Sequence, residues 1–368
     1  MKSEIKIAIF LAVGIAIAVV GIGFVFSTFD KEVTPTTVDE FSPETKIDKS
    51  GFKKAPDLVG IADYLNTTPE KLKEQMKDKV ILYDVWTYSC INCIRTLPYI
   101  TAWNDKYADD GLLIIGIHSP EFEFEKDKNN VEMAVKKYGI TYPVVLDNDK
   151  ETWKAFENMY WPRKYIADYE GYIRYDHIGE GGYKETEQVI QELLKERSYA
   201  LGLQVASAES LVDIKEFQHT SFRTPELYFG YKLALGRNQL GSSEGFLPNQ
   251  IVSYKNPESL DLHKFYLVGD WKNLEDSMRL ESDSGSIKLL YHAKEVNIVT
   301  ANQAELEIFL DGEPLPQIYA GSDIDSGNKL TVSEPDLYNI ISSEDSATHE
   351  LEIKIHQKGF EMYTFTFG

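Results

Sequence analysis

Residues 80–98, VILYDVWTYSCINCIRTLP, hold the only two cysteines of this 368-residue chain, Cys90 and Cys93, spaced as C-x-x-C. The run over 80–86 is apolar and reads as a buried strand, while Ile94, Leu97, Tyr99, Ile100 and Trp103 recur at helical spacing. The dithiol therefore sits where a strand hands over to a helix N-terminus. Free backbone N–H groups and the positive end of the helix dipole stabilise a thiolate there. Cys90 reads as the nucleophile and Cys93 as the resolving thiol. Asp84 lies six residues before Cys90, Trp86 four before it, and Pro98 eight after it.

These positions resemble the thioredoxin pattern. Further on, WTYSCINCIRTLPY, GIHSPEFEFEKD, ITYPVVLDND, YWPRKYIAD and HIGEGGY follow one another as in the thioredoxin-like, extracytoplasmic portion of DipZ-type proteins. Those proteins are relatives of TlpA-like thiol-disulfide oxidoreductases. The resemblance runs from about Pro56 to the closing FTFG. It departs at the front, where DipZ-type proteins carry a polytopic CcdA-type membrane domain that delivers electrons and this chain has one short hydrophobic segment.

The resemblance implies a thiol-disulfide oxidoreductase with no cofactor beyond a redox-active Cys90–Cys93 disulfide. It implies a reducing role toward substrate proteins with disulfides, c-type apocytochrome among them, and a separate CcdA-type membrane electron donor. Trp161-Pro162 stands where thioredoxin-like proteins carry a cis-proline facing the dithiol, so a cis bond is expected there, with Tyr142-Pro143 ranked second. Proline leaves unpaired backbone for a substrate strand. The expected substrate groove is Trp86, Trp161 and Pro162, although a tryptophan such as Trp161 suits a core nearly as well.

Fifty-nine acidic residues against 38 basic ones give a formal charge of −21, which argues against nucleic acid or anionic membrane surfaces as partners. Residues 7–29 carry no charge and are long enough to cross a hydrocarbon core of about 30 Å. A cleavable signal peptide is the competing reading, but FVFSTFDKE offers no small-residue cleavage site, so an uncleaved anchor is expected. Lys2 and Lys6 precede it, which places the N-terminus inside and the catalytic body outside the cytoplasm.

The expected organisation is a membrane anchor over 1–29, a polar tether over 30–55, an α/β thioredoxin-like domain over 56–200, a connecting segment over 201–262 and a β domain over 263–368. In the α/β domain, strands are expected at 80–86, 112–118 and 144–146, helices to about Tyr107 and near 131–138, a hairpin of 164–167 with 172–177, and a closing helix over 185–197. In the β domain, runs at 263–268, 277–281, 286–292, 296–300, 306–310, 351–356 and 362–367 suggest an all-β, jelly-roll-type sandwich, similar to the carbohydrate-binding-like domain ending DipZ-type proteins. Its aromatics either fill the core or stack on a glycan, and no ligand residues are assigned.

Asp84 has two readings. Buried in a strand, its carboxyl takes the proton from Cys93 as that thiol attacks a mixed disulfide; otherwise it bonds backbone at a strand end. The offset from Cys90 favours the first. His118 with Glu121, Glu123 and Glu125 follows a strand end and either lies near the dithiol, as acidic residues do in some TlpA-like relatives, or forms a solvated acidic loop, the reading preferred here; Arg95 either favours the thiolate or sits on the surface. Seven scattered histidines and no second C-x-x-C give no zinc site. Two other functions compete. Thr87, three before Cys90, gives half of a peroxiredoxin pattern, with Tyr83 where its proline belongs; alternatively the pair staples a surface carbohydrate-binding protein.

Overall fold

The computed structural model describes residues 47–205, 210–218 and 222–368. The anchor expected over 7–29 and the tether up to residue 46 lie outside them. Among the described residues no helix is long and apolar enough to cross a membrane.

Two strands with every residue buried, β2 (Val80–Trp86) and β3 (Leu112–His118), pair in parallel at the centre of the first sheet. Strands apolar on both faces must be covered on both, and helices do this. In chain order the other elements are β1 (Asp63–Leu65), α1 (Pro69–Gln75), α2 (Ile91–Tyr107), α3 (Lys128–Lys137), β4 (Val144–Leu146), α4 (Glu151–Ala155), β5 (Arg163–Ala167), β6 (Ile173–Ile178) and α5 (Tyr183–Leu201). The sheet order is β1-β4-β3-β2-β5-β6, with β4-β3-β2 parallel and β5 antiparallel to β2.

Because side chains alternate across a strand, Val80, Leu82, Asp84 and Trp86 share one face of β2, and Ile81, Tyr83 and Val85 the other. The first face packs with Leu97, Ile100 and Trp103 of α2 and with Ile190 and Leu194 of α5. The second packs with Leu72 of α1, Trp153 of α4 and Phe156. Asp84 therefore lies on the side of the sheet covered by the cysteine-bearing helix. Residues 53–55, read as tether, are held to the hairpin by Ala55 N–H to Gly171 O at 2.9 Å and Ile173 N–H to Lys53 O at 2.9 Å.

The rest of the chain is β-rich: β7 (Leu227–Tyr228), β8 (Ile251–Tyr254), β9 (Lys264–Asn273), β10 (Met278–Leu280), β11 (Gly285–Ala301), β12 (Ala304–Leu310), β13 (Glu313–Pro314), β14 (Lys329–Val332), β15 (Asp336–Ile355) and β16 (Glu361–Phe367). These strands lie on one hydrogen-bonded path, β13-β12-β15-β11-β16-β10-β9-β8, with β14 on β12 and β7 on β16. The long strands β11 and β15 carry the pairing through without a break, apart from register shifts between Ala293 and Glu295 and between Val296 and Asn297. A bulge interrupts the alternation, which is why β11 reads in sequence as two strands. Strands β7 and β8 fall in the stretch read as a connection; at two and four residues they are too short to show a period. Trp271, Tyr291, Phe229, Phe265, Phe360 and Phe365 fill the core.

Lys49–Gly368 form one compact unit. The β region docks on the face of the first domain that carries the cysteines. Ile91, Ile94, Phe122 and Phe124 pack with Tyr228, Val299, Leu337 and Tyr363 in one cluster. The Tyr363 ring lies tilted against Phe122 at 5.1 Å and edge-on to Phe124 at 4.8 Å. Around it Arg95 bonds Glu295 at 2.7 Å, Tyr88 OH donates to Pro335 O at 3.1 Å, and Lys137 pairs with Asp336 at 2.6 Å.

Candidate active site

Cys90 is the N-cap of α2, in extended conformation, and its Sγ accepts the Cys93 N–H at 3.2 Å. A helix start leaves N–H groups without partners, so the sulfur takes the place that a serine or aspartate oxygen usually fills. Both cysteines are free thiols; Cys90 is half-buried and Cys93 is sealed. Burial, followed by the bond to Cys90, holds the Cys93 thiol well above the ordinary range. Pro98 falls inside α2, as the spacing implies.

Asp84 is fully buried, and neither of its oxygens has a hydrogen-bond partner among the described residues. Burial pushes its carboxyl up to about 6, with Lys164 pulling the other way. Lys164 is its register partner on β5, also fully buried, donating from Nζ to Gly179 O at 3.3 Å. On the β3 side the partner is Gly116, where a Cβ would come within 3.0 Å of Trp86 Nε1. The bland reading of Asp84, an aspartate bonded to backbone, is therefore not what the fold contains.

The Trp161-Pro162 bond is cis. Pro162 is buried, and Trp161 is half-buried, donating from Nε1 to Ser119 O at 2.9 Å. Trp161 and Cys90 line one cavity of about 230 Å³, together with Glu121 and Asn92 from the first domain and Arg223, Glu226, Tyr228 and Thr366 from the β region. Trp86 does not belong to the groove. Its side chain is fully buried on the α2 face of β2, edge-on to His118 at 5.4 Å, because period-two alternation sends it into the core.

The acidic loop is not solvated as expected. Glu125 is fully buried and accepts from Ser89 Oγ at 2.6 Å, Ser89 N–H at 3.4 Å, Glu121 N–H at 2.5 Å and Phe122 N–H at 2.9 Å. Burial raises its carboxyl against these donors. It ties the loop after β3 to the residue before Cys90 and so sets Glu121 at the cavity. Only Glu123 is exposed. The sequence carries a signal in EFEFE: acidic and aromatic residues alternate, which suits a segment with one buried side. His118 is buried and pushed down to about 3, with Nε2 3.3 Å from Thr87 Oγ1. Thr87 thus turns its hydroxyl to His118. Arg95 serves the domain contact, its guanidinium 3.6 Å over the Phe217 ring. Among the described residues no cluster of His, Cys, Asp or Glu is arranged to hold a metal.

Residues 51–194 match the family model described as Redoxin, and residues 224–368 the one described as thioredoxin like C-terminal domain. Protein DipZ of Mycobacterium bovis is 34% identical over 317 residues, which are 85% of this chain and 43% of DipZ. The chain thus spans less than half the length of that relative. Thiol-disulfide oxidoreductase YkuV of Bacillus subtilis is 32% identical over 142 residues, 38% of this chain and 94% of YkuV. The solution structure of a thioredoxin-like protein in the oxidized form aligns at 31% identity and a TM-score of 0.36, covering 39% of this chain and 97% of that one. A C-x-x-C at a strand-to-helix junction, beside a buried aspartate and a cis-proline, agrees with the likeness to YkuV and DipZ and with the Redoxin match: the chain belongs to the thioredoxin-like thiol-disulfide oxidoreductases.

Proposed function

We propose that this oxidoreductase reduces disulfides of proteins exported from the cytoplasm, with its catalytic body outside the membrane and residues 7–29 as its anchor. The observation that carries the mechanism is the asymmetry of the dithiol. Cys90 reaches the cavity, while Cys93 is sealed on the side of the sheet that holds the unpartnered Asp84 carboxylate.

The Cys90 thiolate, held by the Cys93 N–H, attacks one sulfur of the substrate disulfide, and the other leaves as a thiolate that takes a proton. Cys93 then loses its proton to Asp84 and attacks Cys90, releasing the second substrate thiol and leaving a Cys90–Cys93 disulfide. Two electrons have passed to the substrate. Asp84 near 6 is ionised at neutral pH and still basic enough to accept that proton. The substrate backbone lies along Pro162 and Trp161. A CcdA-type membrane protein returns the two electrons, and c-type apocytochrome is among the acceptors; this part rests on the likeness to DipZ. Expressed with Cys93→Ser, the protein should accumulate mixed disulfides through Cys90 with exported proteins, and Cys90→Ser should accumulate none. Adducts formed only through Cys93 would reverse the assignment, and loss of the adducts' exported character would remove the location.

A further inference from the structure

The contacts that the β region makes with the first domain gather on one side of Cys90. Ile91 and Ile94, the residues that follow the two cysteines, pack in one cluster with Tyr228, Val299, Leu337 and Tyr363. Further along α2, Arg95 bonds Glu295 at 2.7 Å, and Gly368 sits so close that a Cβ on it would come within 2.6 Å of the Arg95 guanidinium. On the loop after β3, Glu121 is bonded by Tyr228 OH at 2.9 Å, and Glu123 N–H donates to Asp276 at 3.0 Å. The contact therefore spans from α2, across the residue after Cys90, to the loop after β3. The opposite flank is held from within the first domain. Trp161 lies 4.3 Å from the Trp153 ring, with Lys150 Nζ 4.3 Å over its own. Just before it, the buried Asn158 pins a turn, donating from Nδ2 to Tyr160 O at 3.0 Å and accepting the Tyr160 N–H at 3.3 Å. That turn leaves Met159 and Tyr160 in solvent, Met159 being 73% exposed. Large apolar side chains held in water beside a reactive sulfur gain free energy only when something covers them.

We propose that the β region is the selectivity element of the exchange reaction: seated across Ile91 and Ile94, it bars folded proteins from Cys90 and leaves the Trp161–Pro162 flank to an extended, unfolded polypeptide segment whose side chains cover Met159 and Tyr160. The inference rests on the dithiol-exchange reading above and adds the state in which a substrate must arrive. A folded partner presents its disulfide on a broad surface, and a specific protein contact takes about 800 Å² on each side. A footprint of that size centred on Cys90 overlaps the ground that the β region already covers. An extended segment is narrow, with neighbouring strands only about 4.8 Å apart, and fits along one flank. The cavity that Cys90 lines is about 230 Å³, room for on the order of eight waters at about 30 Å³ each, which admits the side chains beside a cysteine and not the face of a domain. Met159 and Tyr160 are not among the residues that line it, so they prolong the track beyond the reach of a small-molecule disulfide. That selects a polypeptide.

The test uses the reduced full chain and a small domain carrying one disulfide across its surface, presented in two states: native, and unfolded by replacing a core leucine with aspartate while the disulfide stays intact. Bis(2-hydroxyethyl) disulfide is the third probe. Single-turnover oxidation of the Cys90–Cys93 dithiol is measured with each and divided by that disulfide's rate with dithiothreitol, which removes intrinsic reactivity and exposure. The unfolded chain should exceed its native form by about 100-fold, because the native form reacts only with the minor state in which the contact has opened. It should exceed bis(2-hydroxyethyl) disulfide by about tenfold, the gain from covering the apolar pair. With Met159→Ser and Tyr160→Ser together, that second ratio should fall toward one. In Arg95→Ala the contact loosens, hydrogen exchange at 91–94 rises, and the native domain should gain on its unfolded form; Tyr363→Ala serves if that variant does not fold. A native domain as fast as its unfolded form, or one that stays as slow after the contact has loosened, would overturn the selectivity. A small disulfide as fast as the unfolded chain would overturn the polypeptide class. Failure of all three probes to oxidise the dithiol would overturn the exchange mechanism itself.

Discussion

Asp84 on β2 and Lys164 on β5 are register partners sealed from solvent, yet the carboxylate has no hydrogen bond among the described residues and the lysine donates to Gly179 O instead. Each acts on the other through space: Asp84 keeps the Lys164 ammonium from falling further under burial, and Lys164 keeps the Asp84 carboxyl from rising further. A carboxylate left without donors costs stability, and the proton acceptance assigned to it gives a reason for its presence.

Resolution of the mixed disulfide should therefore speed up as pH rises through about 6, where Asp84 ionises. In Asp84→Asn that limb should vanish, and the step should slow by about 100-fold at neutral pH. Stopped-flow measurement of product release from a preformed Cys90 mixed disulfide checks this, and an unchanged profile rules the role out.

The same residue sets a pH dependence of stability with the opposite sign to an ordinary salt-bridged aspartate. Its folded carboxyl keeps its proton up to about 6, against 3.8 ordinarily. Between those values the folded state binds more protons than the unfolded one, so stability falls as pH rises through the window. Asp84→Asn should lack that fall and be more stable at pH 7 by about 1–3 kcal/mol, less whatever the unpaired Lys164 costs. Denaturant unfolding of both proteins between about pH 4 and pH 7 gives the comparison.

Arg95 holds the two regions together through Glu295 and the Phe217 ring. Arg95→Ala leaves Glu295 without this partner and should cost about 1–3 kcal/mol. Calorimetry should show the loss. An unchanged transition would mean that the apolar cluster around Tyr363 suffices.

The two tryptophans near the dithiol should separate cleanly. Trp86→Ala opens a cavity in the core and should cost about 3–5 kcal/mol. Trp161→Ala touches the cavity wall, so its effect should fall on KM for a peptide disulfide with a much smaller loss of stability. Parallel unfolding and kinetic measurements distinguish them.

Much of the first domain is legible because its strands announce themselves. The runs at 80–86, 112–118 and 144–146 are apolar apart from Asp84 and the closing His118, and the structure places β2, β3 and β4 on those residues. Cys90, Cys93, Asp84, Trp161 and Pro162 are legible through spacing and family resemblance, and the cis bond is present. Trp86 misleads because a position four before a cysteine says nothing about the side of a strand until alternation is followed through. Glu121 and Glu125 mislead for another reason. Their environment comes from Ser89 and from Tyr228 and Glu226, partners distant in sequence that no local pattern reveals. The β region is legible as strands but not as a sheet: the polar run 342–350 hides the middle of β15, whose pairing with β11 holds the architecture.

The reducing role is tested most directly by the reduction potential of the Cys90–Cys93 pair against glutathione buffers. Strong disulfide donors stabilise their reduced form; here burial and the neighbouring sulfur disfavour the Cys93 thiolate, and Asp84 adds to that. The potential should lie near about −270 mV, in the range of thioredoxin. A value near about −120 mV would make the protein a disulfide donor and contradict the account.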